Sequence, residues 1–149
     1  MPSQNNWQMI QRIQSIYLLL AAICMLLMFI APIETLQAVP TSLEVKGYNL
    51  QWFIQALIVF TAAILVLTIF QFKNRNLQKR FCFGAVILVG ITFLAAFFGA
   101  AAIPTTIKVI AVVYKWGLSL PLISIVFIFL ALSGINKDEK LIRSADRLR

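Results

Sequence analysis

Four long apolar runs occupy most of this chain of 149 residues, and none of them contains Asp, Glu, Lys, Arg or His. A helix that crosses a bilayer core about 30 Å thick needs roughly 20 apolar residues. In lipid, a lone helix satisfies all of its own backbone N–H and C=O groups, which an isolated strand cannot do. We therefore predict an all-α membrane protein with four transmembrane helices in a bundle, spanning about 13–31, 52–72, 82–103 and 116–135.

The basic residues are distributed unevenly among the connections between these runs. Ten of the 13 Lys and Arg residues lie before the first run, between the second and third, or after the fourth, whereas Lys46, Lys108 and Lys115 lie elsewhere. Cytoplasmic connections carry an excess of Lys and Arg, so we expect both termini in the cytoplasm. This topology also accounts for the net charge of +8, and we predict no binding of nucleic acid.

The two connections expected on the outer side, residues 32–51 and 104–115, differ in composition from the inner one. The second contains the β-branched sequence TTIKVIAVVY, which is too short to span as a helix. Such residues fit strands better than helices. Two alternatives follow: a small β cap built from both connections, or an interfacial helix that extends a neighbouring span.

Small residues cluster on one face of the third run. A helix would bring together Gly84, Thr92, Ala95 and Gly99. Small side chains let helix backbones approach closely, which favours association in lipid. We predict a helix-packing face here, used either between molecules or within the bundle of one chain.

The last 14 residues, 136–149, are predicted to form a charged cytoplasmic helix. Asn136 would cap it, and Asp138 and Glu139 would lie exposed in its first turn, where the helix dipole favours acidic groups. The tail could lie on the anionic inner leaflet, dock against the 73–80 connection, or extend into solvent. We predict one cytoplasmic interaction surface composed of Arg12, Lys73, Arg75, Lys79, Arg80, Lys140, Arg143, Asp146, Arg147 and Arg149.

Three segments carry a family resemblance: MIQRIQSIYLLLA at 9–21, FKNRNLQKR at 72–80 and KDEKLIRSADRLR at 137–149. Together they resemble a bacterial membrane family of unknown function (domain of unknown function four-two-nine-three), over residues 9–149. The resemblance implies a four-span protein of the bacterial inner membrane. It implies no activity, cofactor or catalytic residue.

The side chains offer little for catalysis, because the chain has no histidine and only five carboxylates. Histidine is the commonest general base and metal ligand. We therefore expect no enzyme, no catalytic residue, no metal and no cofactor. The preferred hypothesis is a structural or accessory subunit that meets anionic lipid headgroups and a membrane-protein partner. A small transporter or oligomeric channel component is the alternative, with Gln55 as the most polar intramembrane residue.

Overall fold

The computed structural model describes residues 4–38, 43–46, 52–71, 74–99 and 109–146. Within these ranges the chain forms four α-helices: α1 (Gln4–Leu27), α2 (Trp52–Phe70), α3 (Arg75–Gly99) and α4 (Leu120–Asp146). The same part of the chain contains three strands: β1 (Pro32–Ala38), β2 (Leu43–Lys46) and β3 (Val109–Tyr114). A short 3-10 helix, Trp116–Ser119, leads directly into α4.

Three helical segments among the described residues are long and apolar enough to cross a membrane. They are Trp52–Phe70, Arg75–Phe98 and Trp116–Lys140, with mean hydropathies of 2.6, 2.5 and 2.5. The apolar part of α1, Ile13–Leu27, is shorter than these. The helices are therefore compatible with a multi-pass membrane protein.

Helices α1 and α4 run antiparallel and touch along most of their length. Near one end, Gln14 hydrogen-bonds to Asp138. In the middle, the Ser124 hydroxyl donates to the Ala21 carbonyl oxygen at 3.1 Å. Beyond the end of α1, Gly117 lies against the backbone of Pro32. Residues 14–32 thus cover the same length of the molecule as residues 117–138.

The remaining helix contacts complete a ring, since α1 also packs on α2, α2 on α3, and α3 on α4. The buried interior contains two clusters of apolar side chains. Leu18, Met25, Leu65, Val89 and Ile128 belong to the first, in the middle of the helices. The second lies where the helices meet the sheet and includes Met28, Ile33, Ile58 and Leu118.

Large apolar side chains also cover the outside of the helices. Each helix exposes several: for example Leu19 and Leu26 on α1, Phe60 and Leu67 on α2, Ile87 and Phe98 on α3, and Val126 and Phe129 on α4. A helix that is apolar on all sides is typical of a membrane span or of the core of a large protein. An apolar surface of this extent needs lipid or another protein to cover it.

The strands form an antiparallel sheet in the order β2-β1-β3. The sheet brings together the two connections for which the sequence predicted either strands or an interfacial helix. Beside the sheet, the Lys115 N–H donates to the Ile33 carbonyl oxygen at 2.8 Å. We call this end of the molecule the sheet end, and the opposite end of the helices the basic end. That the sheet caps the outer face of a membrane stays a prediction.

The structure corrects two predictions about the start of the charged tail, the capping role of Asn136 and the exposure of Asp138. Helix α4 continues without a break through Asn136, so this residue caps no helix. Asp138 is buried, with 4% of its surface exposed, and does not lie on an exposed helix start as predicted. The apolar span and the charged segment share one helix because residues 136–140 continue to pack against α1 and α3.

Candidate interaction surface

The basic end is built mainly by the first turns of α3 and the later turns of α4. Helix α3 begins at Arg75, immediately after a turn in which Asn74 N–H donates to the Gln71 carbonyl at 3.0 Å. This start places Arg75, Lys79 and Arg80 within the first two turns of α3. Of these, Arg80 is exposed and the other two are partly buried.

An ion pair links α3 to α4 at this end. The Lys79 ammonium donates to the Glu139 carboxylate, and both side chains are partly buried, with 22% and 25% of their surface exposed. The spacing of 60 residues in sequence makes it a tertiary contact. A partly exposed pair of this kind typically contributes at most about 1 kcal/mol. Its main consequence here is to join the 73–80 connection to the segment after the fourth run.

A second polar contact links α1 to α4 and is buried. Gln14 Nε2 donates to Asp138 Oδ2 at 2.6 Å, and the other oxygen, Oδ1, has no hydrogen-bond partner among the described groups. Gly134 makes room for this contact, because a Cβ there would lie 2.9 Å from Gln14 Cγ. Sequence reasoning missed both residues and named Gln55 as the most polar intramembrane candidate. Gln14 itself lies within the first predicted span.

The structure describes only part of the predicted cytoplasmic surface. It brings Arg75, Lys79, Arg80 and Lys140 to the same end of the molecule. The backbones of Arg12, Arg143 and Asp146 lie in α1 and α4, but their side chains are outside the described part. Lys73, Arg147 and Arg149 lie outside the described residues altogether.

Arg75 has a side-chain donor without a partner among the described residues. Its side chain is partly buried, and its Nη1 atom, which is shielded from solvent, has no hydrogen-bond partner in the described structure. A buried donor that is left unpaired costs about 1–3 kcal/mol.

Only some residues of the predicted helix-packing face of α3 pack against other described elements. Thr92 is fully buried and Ala95 packs against the second apolar cluster. Nothing lies within 4 Å of a Cβ built at Gly84, so the described residues make no close helix contact there. The burial of Gly99 lies outside the described part. The buried stripe of α3 follows the spacing of three and four and consists of Gln78, Cys82, Ala85, Val89, Thr92 and Ala96.

A further acidic group missed by sequence reasoning lies at the sheet end. Glu34 in β1 is 0% exposed, and neither carboxylate oxygen has a hydrogen-bond partner among the described residues. Burial raises the pKa of Glu34 to about 6 from 4.5. Strand alternation would put Glu34 and the buried Ile33 on opposite faces, but the register shifts between Pro32 and Glu34. Both side chains are therefore buried, which the alternating pattern alone does not predict.

The comparisons with known proteins give one positive result. A family model described as Domain of unknown function (DUF4293) matches residues 10–148. No curated protein sequence and no solved structure matches the chain. The family match covers α1 from residue 10 onward, the whole of α2, α3 and α4, and both polar contacts at the basic end.

Proposed function

The chain belongs to the family of uncharacterised domains described as DUF4293, and from this premise we propose that it is a non-catalytic accessory subunit of the bacterial inner membrane. Its helices anchor it in the bilayer, and its basic end docks a membrane-protein partner. The observation that carries this proposal is the joining of α1, α3 and α4 by two polar contacts at the end of the molecule where Arg80, Lys137 and Lys140 are exposed.

Four spans are the arrangement that the packing of α1 supports. Its apolar helical part, Ile13–Leu27, is short. However, residues 14–32 lie alongside residues 117–138 of the apolar segment that includes α4. A helical rise of 1.5 Å per residue makes that stretch about 30 Å long, which matches a bilayer core. The exposed face of α1 is as apolar as those of the other helices.

The orientation of the chain follows from its basic residues. Ten of the 13 Lys and Arg residues lie before the first apolar run, between the second and third, or after the fourth, and segments rich in these residues stay in the cytoplasm. The test uses a single cysteine added after Arg149, with Cys24→Ser and Cys82→Ala removing the native thiols. An impermeant thiol reagent should leave this cysteine unlabelled in intact cells and label it after lysis. A cysteine at Lys108 is the control and should be labelled in intact cells. Labelling of the C-terminal cysteine from outside would refute the orientation.

The docking role is tested by co-purification in mild detergent. Arg75→Gln with Arg80→Gln removes two positive charges from the basic end, whereas Lys108→Gln with Lys115→Gln removes two from the opposite connections. We expect the first pair of substitutions to lose the proteins that co-purify with the unchanged chain, and the second pair to retain them. Higher salt should weaken the association, because exposed charges are screened. Equal recovery with both variants would contradict docking at the basic end.

A small transporter is the second candidate, and the buried Asp138 is the observation that favours it. Ionisable residues buried among membrane helices often mark ion or proton pathways. Flux measured in liposomes that contain the purified chain separates the two functions. A flux that Asp138→Asn abolishes would favour transport, whereas absence of flux in the unchanged protein would remove this candidate.

A further inference from the structure

A groove between α3 and α4 at the basic end has an apolar floor and a cationic rim. Its volume is about 490 Å³. The floor consists of Phe83 from α3 together with Phe129 and Leu132 from α4. Phe83 and Phe129 are more than half exposed, at 59% and 53%. The groove therefore opens to the outer surface of the helices and not into the interior.

The rim of the groove carries groups that attract anions. Lys137 and Lys140 line it together with Ser133 and Asn136, and all four side chains are exposed. These residues recur on one face of α4 at spacings of three and four, above Phe129 and Leu132. Lys137 lies about two turns beyond Phe129, which is about 12 Å along the helix axis.

The local charge of the rim is positive. Glu139 is the nearest acidic residue along the same helix surface, and it is paired with Lys79. Asp138 points toward α1, where Gln14 donates to it. In the described structure neither Lys137 nor Lys140 forms an ion pair, so both ammonium groups are available to a ligand.

We propose that this groove binds one anionic phospholipid, with an acyl chain on Phe83 and Phe129 and the headgroup phosphate between Lys137 and Lys140. The inference rests on the proposed membrane placement. The Ser133 hydroxyl and the Asn136 amide supply further donors to the phosphate oxygens. An apolar floor beside a cationic rim fits a molecule with an apolar chain and an anionic headgroup. A free phosphate would contact only the rim. A helix of a second protein would leave both lysines without a counter-charge unless it brought acidic groups.

The test measures lipid binding to the full-length protein in detergent by native mass spectrometry. The probes are phosphatidylglycerol and phosphatidylcholine with identical oleoyl chains. A lysine near an anionic headgroup typically contributes about fivefold in affinity, so Lys137→Gln with Lys140→Gln should weaken phosphatidylglycerol binding about thirtyfold. Binding of phosphatidylcholine should change little. The matched control, Lys108→Gln with Lys115→Gln, removes the same charge from the opposite connections and should change either affinity by less than about twofold.

Two further arms test the apolar floor and the source of the phosphate. Phe129→Ala should weaken binding of the oleoyl lipid about fivefold, because less apolar surface covers the chain. Glycerophosphoglycerol, the same headgroup without chains, should compete poorly. The proposal is overturned if the rim and control variants lose phosphatidylglycerol equally, or if the chainless headgroup competes as well as the lipid. A dimer that Phe129→Ala dissociates would also overturn it, because a second copy would then fill the groove. None of these outcomes depends on the co-purification result, which tests the docking role separately.

Discussion

Glu34 should make the stability of this protein fall as the pH rises. Its carboxyl group is fully buried in β1, and in the described structure it has no hydrogen bond to offset the loss of water. Burial disfavours the charged form, which raises the pKa from 4.5 to about 6. The register partners of Glu34 are Tyr114 on β3 and Val45 on β2, neither of which carries a positive charge.

The size and the sign of the effect follow from the two pKa values. Each pKa unit corresponds to about 1.36 kcal/mol, so the difference between 4.5 and about 6 amounts to about 2 kcal/mol. The folded state holds the proton more tightly than the unfolded state. The stabilisation is therefore fully present below pH 4.5 and is lost as the pH rises through 6. Above that pH, folding includes the cost of burying a charged carboxylate.

The assay is unfolding in mixed micelles with an increasing fraction of dodecyl sulfate, repeated between pH 4 and pH 8. The informative quantity is the free energy of unfolding of the unchanged protein minus that of Glu34→Gln, because other carboxylates cancel in this difference. We expect it to fall by about 2 kcal/mol between pH 4 and pH 8. Glu44→Gln, in the adjacent strand, is the control and should leave the pH dependence of the unchanged protein intact. A difference that stays flat or rises with pH would refute the argument.

Further predictions concern the contacts that join α1 to α4, and the same unfolding assay measures them at pH 7. Gln14→Leu should lower the free energy of unfolding by about 2–3 kcal/mol, because it leaves the buried Asp138 without its donor. Adding Asp138→Leu should recover most of that loss, since no unpaired charge then remains. Gly117→Ala should cost about 2–3 kcal/mol, because its Cβ would lie 2.4 Å from a backbone oxygen. Gly84→Ala, where a Cβ meets nothing within 4 Å, should instead stabilise the helix by about 0.5–1 kcal/mol. Ser124→Ala should cost about 0.6 kcal/mol, the usual value of one hydrogen bond between membrane helices.

Each of these predictions has an outcome that would contradict it. If the Gln14→Leu variant and the variant that also carries Asp138→Leu lose the same free energy of unfolding, that loss comes from packing and not from an unpaired charge. If Gly117→Ala and Gly84→Ala have the same effect, the close approach at Gly117 does not limit the packing. No change with Ser124→Ala would mean that its hydroxyl finds an equal partner elsewhere.

The candidate surface was only partly predictable. Basic residues in the 73–80 connection and in residues 137–149 predicted that the start of α3 and the end of α4 lie on the same side of the membrane. Docking of the tail against the 73–80 connection was one of three alternatives, but no pattern in the sequence paired Lys79 with Glu139, which lies 60 residues further along the chain. The prediction that Asp138 lies exposed at a helix start was wrong. Helix α4 continues past Asn136, and Asp138 is buried against α1. That burial depends on the packing of α4 and not on its local composition.

Some properties of this protein are determined by its sequence alone. Uninterrupted apolar runs predict membrane helices because the cost of burying each backbone or charged group in lipid is local and adds up along the segment. The tertiary structure decided which faces of those helices meet. The Gln14–Asp138 contact, the burial of Glu34 and the groove at Lys137 each require residues from separate elements to come together. Their energetics depend on how neighbouring elements exclude water, a property of the packed molecule that no single segment possesses.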